Sequence, residues 1–373
     1  MNELLCIGNP IVDIFIDIDN SLAQKYGITE SVQHIDREKA EAILCEPSID
    51  FSKAARSSGG GAANVAKIAA MLGMSVVFSG CAGHDEFASA FEEEISGAGV
   101  SAKLVKSNNN KTGVCFACNV SREIPLQETR DTSPQNVRRN DSTRELRFAA
   151  SPGAALELTE SHISEEMFDG AEVIVLDGYI LDRQSLVQHI LLKASRRGIP
   201  VALDAASILQ VKSKAEEILT YSRNFPLFIF MNADEAIVFN NTIRKSCDSD
   251  AGANLINLTE KEKEAVILRD ISPMLKIITE GELFPIIIIK LGGRGAIVFA
   301  GGHTYHEETF TIIPRNTVGA GDAFCAAFVS AWIRGKSLSE CAALGNKVAR
   351  EILEVPGTRI KEGKLKSFAK YLR

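Results

Sequence analysis

A chain of 373 residues with 45% hydrophobic and 24% charged residues has the balance of a soluble globular protein with a sizeable core, which excludes disorder as its default. A formal net charge of −7 argues against a constitutive nucleic-acid or anionic-membrane surface, since both are built from clustered Lys and Arg. No apolar run approaches the roughly 18–20 residues of a membrane span, and residues 1–7 lack the basic start and long apolar stretch of a secretory leader, so a cytoplasmic protein is expected.

In chain order, residues 4–7 read as a strand buried on both faces, and residues 11–18 alternate apolar side chains with Asp13 and Asp17, the pattern of a half-buried strand. A helix is expected over 62–72, closed by Gly73, and another over 85–95, closed by Gly97. Short half-buried strands at 113–120 and 146–150 flank the polar segment 121–143, which reads as an exposed excursion. Buried strands follow at 173–176, 201–203, 227–231 and 286–289, with helices over 185–197, closed by Gly198, and 322–334, closed by Gly335; residues 240–257 read as a second polar insertion. Alternating β and α units imply a mainly parallel, doubly wound α/β sheet flanked by helices, and the half-buried strands a small separate sheet. At about 100–200 residues per domain the length allows two domains. No Pro/Gly/Ser linker separates them, so a single domain over 1–373 is expected, its small β-sheet lid formed by inserted segments near 11–58 and 112–150.

Eight cysteines mostly lie in apolar segments and are expected as free thiols. Cys115 and Cys118 form a CxxC, but no second ligand pair stands at zinc-site spacing, and residues three apart on a strand face opposite sides.

The segment Asn-Thr-Val-Gly-Ala-Gly-Asp-Ala-Phe, residues 316–324, places Asp322 at the start of an amphipathic helix, where Gly319 and Gly321 leave the backbone unobstructed. The amides around Ala320, Gly321 and Asp322 can then bind an anion at the helix N-terminus with a carboxylate beside it. That arrangement suits phosphoryl transfer, in which amides stabilise the transferring group and the carboxylate accepts a hydroxyl proton; the plain alternative is a glycine turn with an Asp cap. Asn232 and Glu235 have capping-box spacing after the strand at 227–231. Lys290-Leu-Gly292-Gly-Arg294-Gly295 follows the strand at 286–289, either as a hairpin turn or as a ligand loop at the carboxyl end of an α/β strand. Gly335-Lys336-Ser337 has only the tail of a phosphate-binding loop, with Ser330 where its first glycine belongs, and reads as a helix end. A dinucleotide-binding glycine pattern is missing, which disfavours a dehydrogenase.

Gly-Ala-Gly-Asp at 319–322, with Gly-Gly-Gly-Ala-Ala-Asn at 59–64 well before it, resembles the two signatures of the ribokinase and phosphofructokinase-B (PfkB) family of carbohydrate and nucleoside kinases. Gly8-Asn9-Pro10-Ile11-Val12-Asp13, residues 80–85 and residues 112–118 resemble its adenosine-kinase branch, so the likeness spans nearly the whole chain. The resemblance implies a ribokinase-like fold and transfer of the ATP γ-phosphoryl group to a hydroxyl of a sugar or nucleoside, with Asp322 as base and Gly319, Ala320 and Gly321 as the anion hole. It implies substrate contacts from Asn9, Asp13, Gly60, Gly61 and Asn64, and nucleotide contacts from Asn232, Lys290, Gly292, Gly295 and Thr317. Glu235 would help place Mg²⁺ through water. Asn316 stands where ribokinase-like enzymes often carry Asp, which should weaken K⁺ activation. Phe116, Phe148 or Tyr179 are candidates to stack on a base, and Arg147, Arg138 and Arg139 to hold a phosphosugar. The expected partners are small molecules only, on a monomer or a homodimer formed through the lid. A non-catalytic sugar or nucleotide sensor on the same fold is the competing function.

Overall fold

A computed structural model describes residues 2–121, 144–245, 258–280, 285–310, 312, 318–354 and 362–372. The chain begins with β1 (Leu4–Ile7), buried at every position, and passes directly into β2 (Ile11–Ile18), whose alternate residues are exposed or half-exposed. Two short helices and two strands follow: α1 (Asn20–Lys25), β3 (Val32–His34), α2 (Arg37–Leu44) and β4 (Ala55–Gly59). Then come α3 (Gly61–Met71), β5 (Val76–Ala82), α4 (Glu86–Gly97), β6 (Ser101–Lys106), β7 (Gly113–Ser121) and β8 (Arg144–Ser151). The second half continues with β9 (Val173–Asp177), α5 (Gln184–Arg196), β10 (Val201–Asp204), α6 (Ile208–Asn224), β11 (Leu227–Asn232) and α7 (Ala233–Lys245). It closes with α8 (Glu260–Val266), α9 (Ser272–Thr279), β12 (Ile286–Lys290), β13 (Ala296–Ala300), β14 (His303–Glu307), α10 (Ala320–Ile333), α11 (Leu338–Leu353) and α12 (Glu362–Tyr371).

Nine strands form the large sheet in the order β14-β13-β12-β11-β10-β9-β1-β5-β6, parallel from β12 through β6 and antiparallel at the β12–β13–β14 edge. Apolar cores lie on both faces: one is filled largely from α3, α10 and α11, the other from α5, α6, α7 and α9. The expected doubly wound α/β class is therefore the observed one. The second sheet has the order β3-β8-β7-β2-β4. Its apolar face, with Ile14, Ile16, Val114 and Phe116, packs with Ala23 and Ala40 of α1 and α2, while Asp13 and Cys115 pair in register on the opposite face. Cys118 lies on the apolar face, so the two cysteines of the CxxC point apart, as strand geometry requires.

Several boundaries depart from expectation. The turn after α4 uses Gly99, at φ 92°, rather than Gly97, which is still helical. Helix α7 runs on to Lys245, so residues 240–245 are helix rather than insertion; residues 246–257 and the excursion at 122–143 lie outside the described residues. Helix α10 starts at Ala320 and is buried at every position from Ala323 to Ala331. It is therefore a central helix between the sheet and α11, not an amphipathic surface one. Gly345 permits the close approach of α11, since a methyl group there would lie 2.8 Å from the Phe324 ring.

Phe328 anchors α10 against the sheet, with ring centroids 6.3 Å from Phe228, 5.4 Å from Phe230 and 6.1 Å from Phe324. Truncating a fully buried ring removes its transfer energy and leaves a cavity, so Phe328→Ala should lower unfolding free energy by about 3–5 kcal/mol in a denaturant titration. A loss under about 1 kcal/mol would show that α10 is not held by this cluster.

Candidate active site at the carboxyl ends of the parallel strands

Adjacent strands β1, β9, β10, β11 and β12 end, or are followed at once, by Gly8-Asn9, Asp177, Asp204, Asn232 and Lys290. In an open parallel sheet these carboxyl ends are where ligands bind. Two helix N-termini, those of α3 and α10, face the same edge. Gly319 caps α10 in the left-handed region at φ 78°, and its carbonyl accepts the first helical bond from Ala323 N–H at 2.9 Å. The amides of Ala320, Gly321 and Asp322 thus precede the helix's own ladder and carry its positive partial charge.

Asp322 lies in this first turn. Asn64, in the first turn of α3, donates from Nδ2 to Asp322 Oδ2 at 2.9 Å, which ties the two glycine-rich segments together. A methyl group at Gly61 would lie 3.6 Å from Asp322 Oδ1, so the two helix starts are in near contact. Lys290 Nζ donates to Asp204 Oδ2 at 2.6 Å and lies under the turn, where a methyl at Gly321 would come within 3.1 Å of it. The other Asp204 oxygen accepts the Ala206 N–H at 3.0 Å; Ala206 itself sits at φ 68°, a strained position for a residue with a Cβ.

Asn232 and Glu235 form the reciprocal capping pair: Asn232 N–H donates to Glu235 Oε2 at 2.8 Å, and Glu235 N–H to Asn232 Oδ1 at 2.9 Å. The cap places Glu235 beside Asp204. Asn232, Glu235, Lys290, Gly292 and Gly295 line one cavity of about 540 Å³ together with Ala320, Gly321 and Asp322. The loop after β12 is a hairpin turn into β13, and it borders this cavity. Lys290 faces the cavity, whereas Arg294 pairs with Glu264 at 2.6 Å.

On the far side of Asp322, a methyl at Gly59 would fall 2.3–2.5 Å from the Asp13 carboxyl, so the backbone of β4 walls that carboxyl in. Gly60, at φ 94°, has no room for a side chain, because a Cβ would strike the Asn9 carbonyl oxygen at 2.1 Å. Asn9 is buried, and its Oδ1 accepts from Arg183 Nη2 at 2.6 Å, which directs the amide N–H donors away from Arg183. Thr317 and Asn316 lie outside the described residues. So do Arg138 and Arg139. Two candidates move away from the site: Phe116 is fully buried on the apolar face of the small sheet, and Arg147 spends its guanidinium on the Ile28 carbonyl (2.8 Å) and Glu145 (2.9 Å). Both sit on the face opposite Asp13, because each is an odd number of residues from an inward-facing position on its strand.

Sequence reasoning overlooked Asp177 and Asp204, each one residue beyond an expected strand, and also the cavity residues Phe310, Asn346 and Arg350. Burial pushes the Asp322 carboxyl up to about 6, with Asp204 and Asp177 adding repulsion against the Asn64 hydrogen bond and the Lys290 charge. Burial likewise raises Asp13 to about 7, opposed by Lys67 and assisted by Asp322 and Glu94. Glu235 is raised by burial and by Asp204. Burial alone would lower Lys290, but Asp204 and Glu235 overcome it and hold the ammonium firmly protonated.

Carboxyls whose folded values are raised favour the folded state at low pH and lose that contribution as pH rises through the folded value. Asp322→Asn should therefore melt a few degrees above the parent protein at pH 8, and the gap should close as pH falls through 6 toward 4, read by thermal denaturation across pH. A variant less stable than the parent at pH 8 would show that Asp322 is a net structural asset.

The sequence profile of the pfkB family carbohydrate kinases matches residues 22–125 and 126–364. Adenosine kinase of Schizophyllum commune is 24% identical over 96% of this chain and 97% of its own, and that of Schizosaccharomyces pombe 23% over 96% of each. Among solved structures, adenosine kinase from Sinorhizobium meliloti superposes with a TM-score of 0.76 at 21% identity, covering 100% of this chain and 99% of that one. Anopheles gambiae adenosine kinase, in complex with P1,P4-di(adenosine-5) tetraphosphate, reaches 0.73 at 20%, covering 96% and 97%. With this fold and a family match over most of its length, the chain belongs to the pfkB family of carbohydrate kinases and is a phosphotransferase with an alcohol group as acceptor.

Proposed function

We propose that this protein transfers the γ-phosphoryl group of ATP to a hydroxyl of a sugar or nucleoside, with Asp322 as the catalytic base. The observation that carries the reading is the placement of Asp322 in the first turn of α10, tied to Asn64 at 2.9 Å and bordering the cavity that holds Lys290, Asn232 and Glu235. The acceptor lies between Asp13 and Asp322 and the nucleotide phosphates lie in the cavity. Asp322 takes the hydroxyl proton as the acceptor oxygen bonds to the γ-phosphorus; the bond from that phosphorus to its bridging oxygen breaks, and ADP leaves. The amides of Ala320 to Asp322 and Lys290 stabilise the charge of the transferring group.

Glu235 and Asp204 supply hard oxygen donors at the cavity edge, the chemistry Mg²⁺ prefers, and Glu235 suits holding it through water. Bound there, Mg²⁺ would neutralise charge on the nucleotide phosphates. Weak K⁺ activation remains the expectation from Asn316. The same proposal takes small molecules as the partners of a monomer or of a homodimer formed through the small sheet, and no described helix is long and apolar enough to cross a membrane. A cytoplasmic location is part of the same proposal.

Within this class a nucleoside is favoured by one feature. The row beside Asp13 and Cys115 on the small sheet's open face carries Phe15, Ala117, Phe148 and Val32, aligned across four strands, and the Asp13–Cys115 row itself runs through Ala150 to His34, whose ring meets Tyr179 edge-on at 5.6 Å. An apolar strip adjoining a hydroxyl-binding carboxyl suits a sugar bearing a flat, weakly polar base better than a free hexose.

ADP release with Mg²⁺, ATP and a panel of sugars and nucleosides should identify the acceptor, and Asp322→Asn should cut turnover by about a hundredfold or more while the purified variant still binds ATP. Full turnover in that variant would remove Asp322 from the chemistry. ATP binding with no ADP release for any acceptor in the panel would favour the sensor.

A further inference from the structure

Four stretches of chain connect the large sheet to the small one: β1 to β2, β4 to α3, β6 to β7, and the segment leaving β8. They converge. The first contains Asn9, whose carbonyl oxygen is in close contact with Gly60 in the second. The third and fourth are joined by the Ala154 N–H, which donates to the Lys111 carbonyl at 2.7 Å, and by Gly113, where a Cβ would come within 2.6 Å of the Pro152 carbonyl oxygen.

One half-buried side chain spans these two pairs. Arg183 precedes α5 in the large-sheet layer, and its Nη2 donates to Asn9 Oδ1 at 2.6 Å while its Nη1 donates to the Ala155 carbonyl. Arginine carries no acceptor, so the Asn9 atom facing it must be the carbonyl oxygen, which fixes the amide's orientation. Asp177 Oδ2 accepts the Asn9 backbone N–H at 3.3 Å, and Arg183 Nε is buried without a hydrogen-bond partner among the described residues. A guanidinium with two arms bonded to two chain crossings is a fixed strut rather than a free surface charge.

We propose that Arg183 is a positioning residue: it pins the small sheet to the core through Asn9 and Ala155 and so sets where the acceptor sits relative to Asp322. The link to the acceptor rests on the kinase reading above; the pin itself does not. Lysine cannot replace it, because one ammonium cannot serve both acceptors with the same planar geometry.

The test compares the parent protein with Arg183→Met and Arg183→Lys. In hydrogen exchange on the free protein, residues 8–11, 111–114 and 152–155 should exchange about tenfold faster or more in both variants, the scale of a lost charge-assisted hydrogen bond, while β9 and β10 stay protected. With the acceptor identified, its KM should rise about tenfold while kcat at saturation and KM for ATP change less than about threefold. If Arg183→Met does not fold, Arg183→Lys carries both readouts. Unchanged exchange at the crossings, an equal rise in β9 and β10, or wild-type exchange and KM in Arg183→Lys would each overturn the proposal. A chain that phosphorylated nothing in the acceptor panel would instead sink the kinase reading and leave the exchange result to stand by itself.

Discussion

The ion pair of Lys290 with Asp204, 2.6 Å long and set beneath the first turn of α10, holds together an end of the sheet that is otherwise crowded with negative charge. Asp177, Asp204, Glu235 and Asp322 all gather at this edge, and the values of Asp322 and Glu235 are raised by burial and by Asp204. The Lys290 ammonium, with the Asn64 hydrogen bond, opposes the rise of the Asp322 carboxyl and so favours its proton-accepting form. With it, Asp322 is left with a value near neutrality, where a base is most useful.

The fold's contribution is to deliver groups from distant parts of the chain to one line. Parallel pairing aligns the ends of β1, β9, β10, β11 and β12, and the glycines of the two signature segments let α3 and α10 start almost in contact. Gly60 is required because the Asn9 backbone occupies the space of its Cβ. The small sheet carries Asp13 to the other side of Asp322, and its own apolar face is closed by α1 and α2.

Much of this was legible in the sequence, for identifiable reasons. Buried parallel strands read as unbroken apolar runs, so β1, β9, β10, β11 and β12 were found nearly to the residue, and the glycine-rich helix start marked Asp322. The same criterion hid Asp177 and Asp204: the apolar run stops one residue before each, although an acid closing a buried strand is itself a signal of a ligand-facing edge. Side-chain direction on β7 and β8 was not legible, since Phe116 and Arg147 needed the register with β2 to assign their face. Arg183 left no local trace at all, because its partners Asn9 and Ala155 are 174 and 28 residues away.

The central claim is that a half-buried carboxyl of raised affinity for protons, Asp322, must be ionised for transfer. The most direct measurement is the pH dependence of kcat/KM for the identified acceptor, which reports the essential groups of the free enzyme. The account predicts that the rate falls on the acid side with a midpoint between about 6 and 7, spanning the values of Asp322 and Asp13. A rate that stays level down to about pH 5, near the range of ordinary exposed carboxyls, would contradict it.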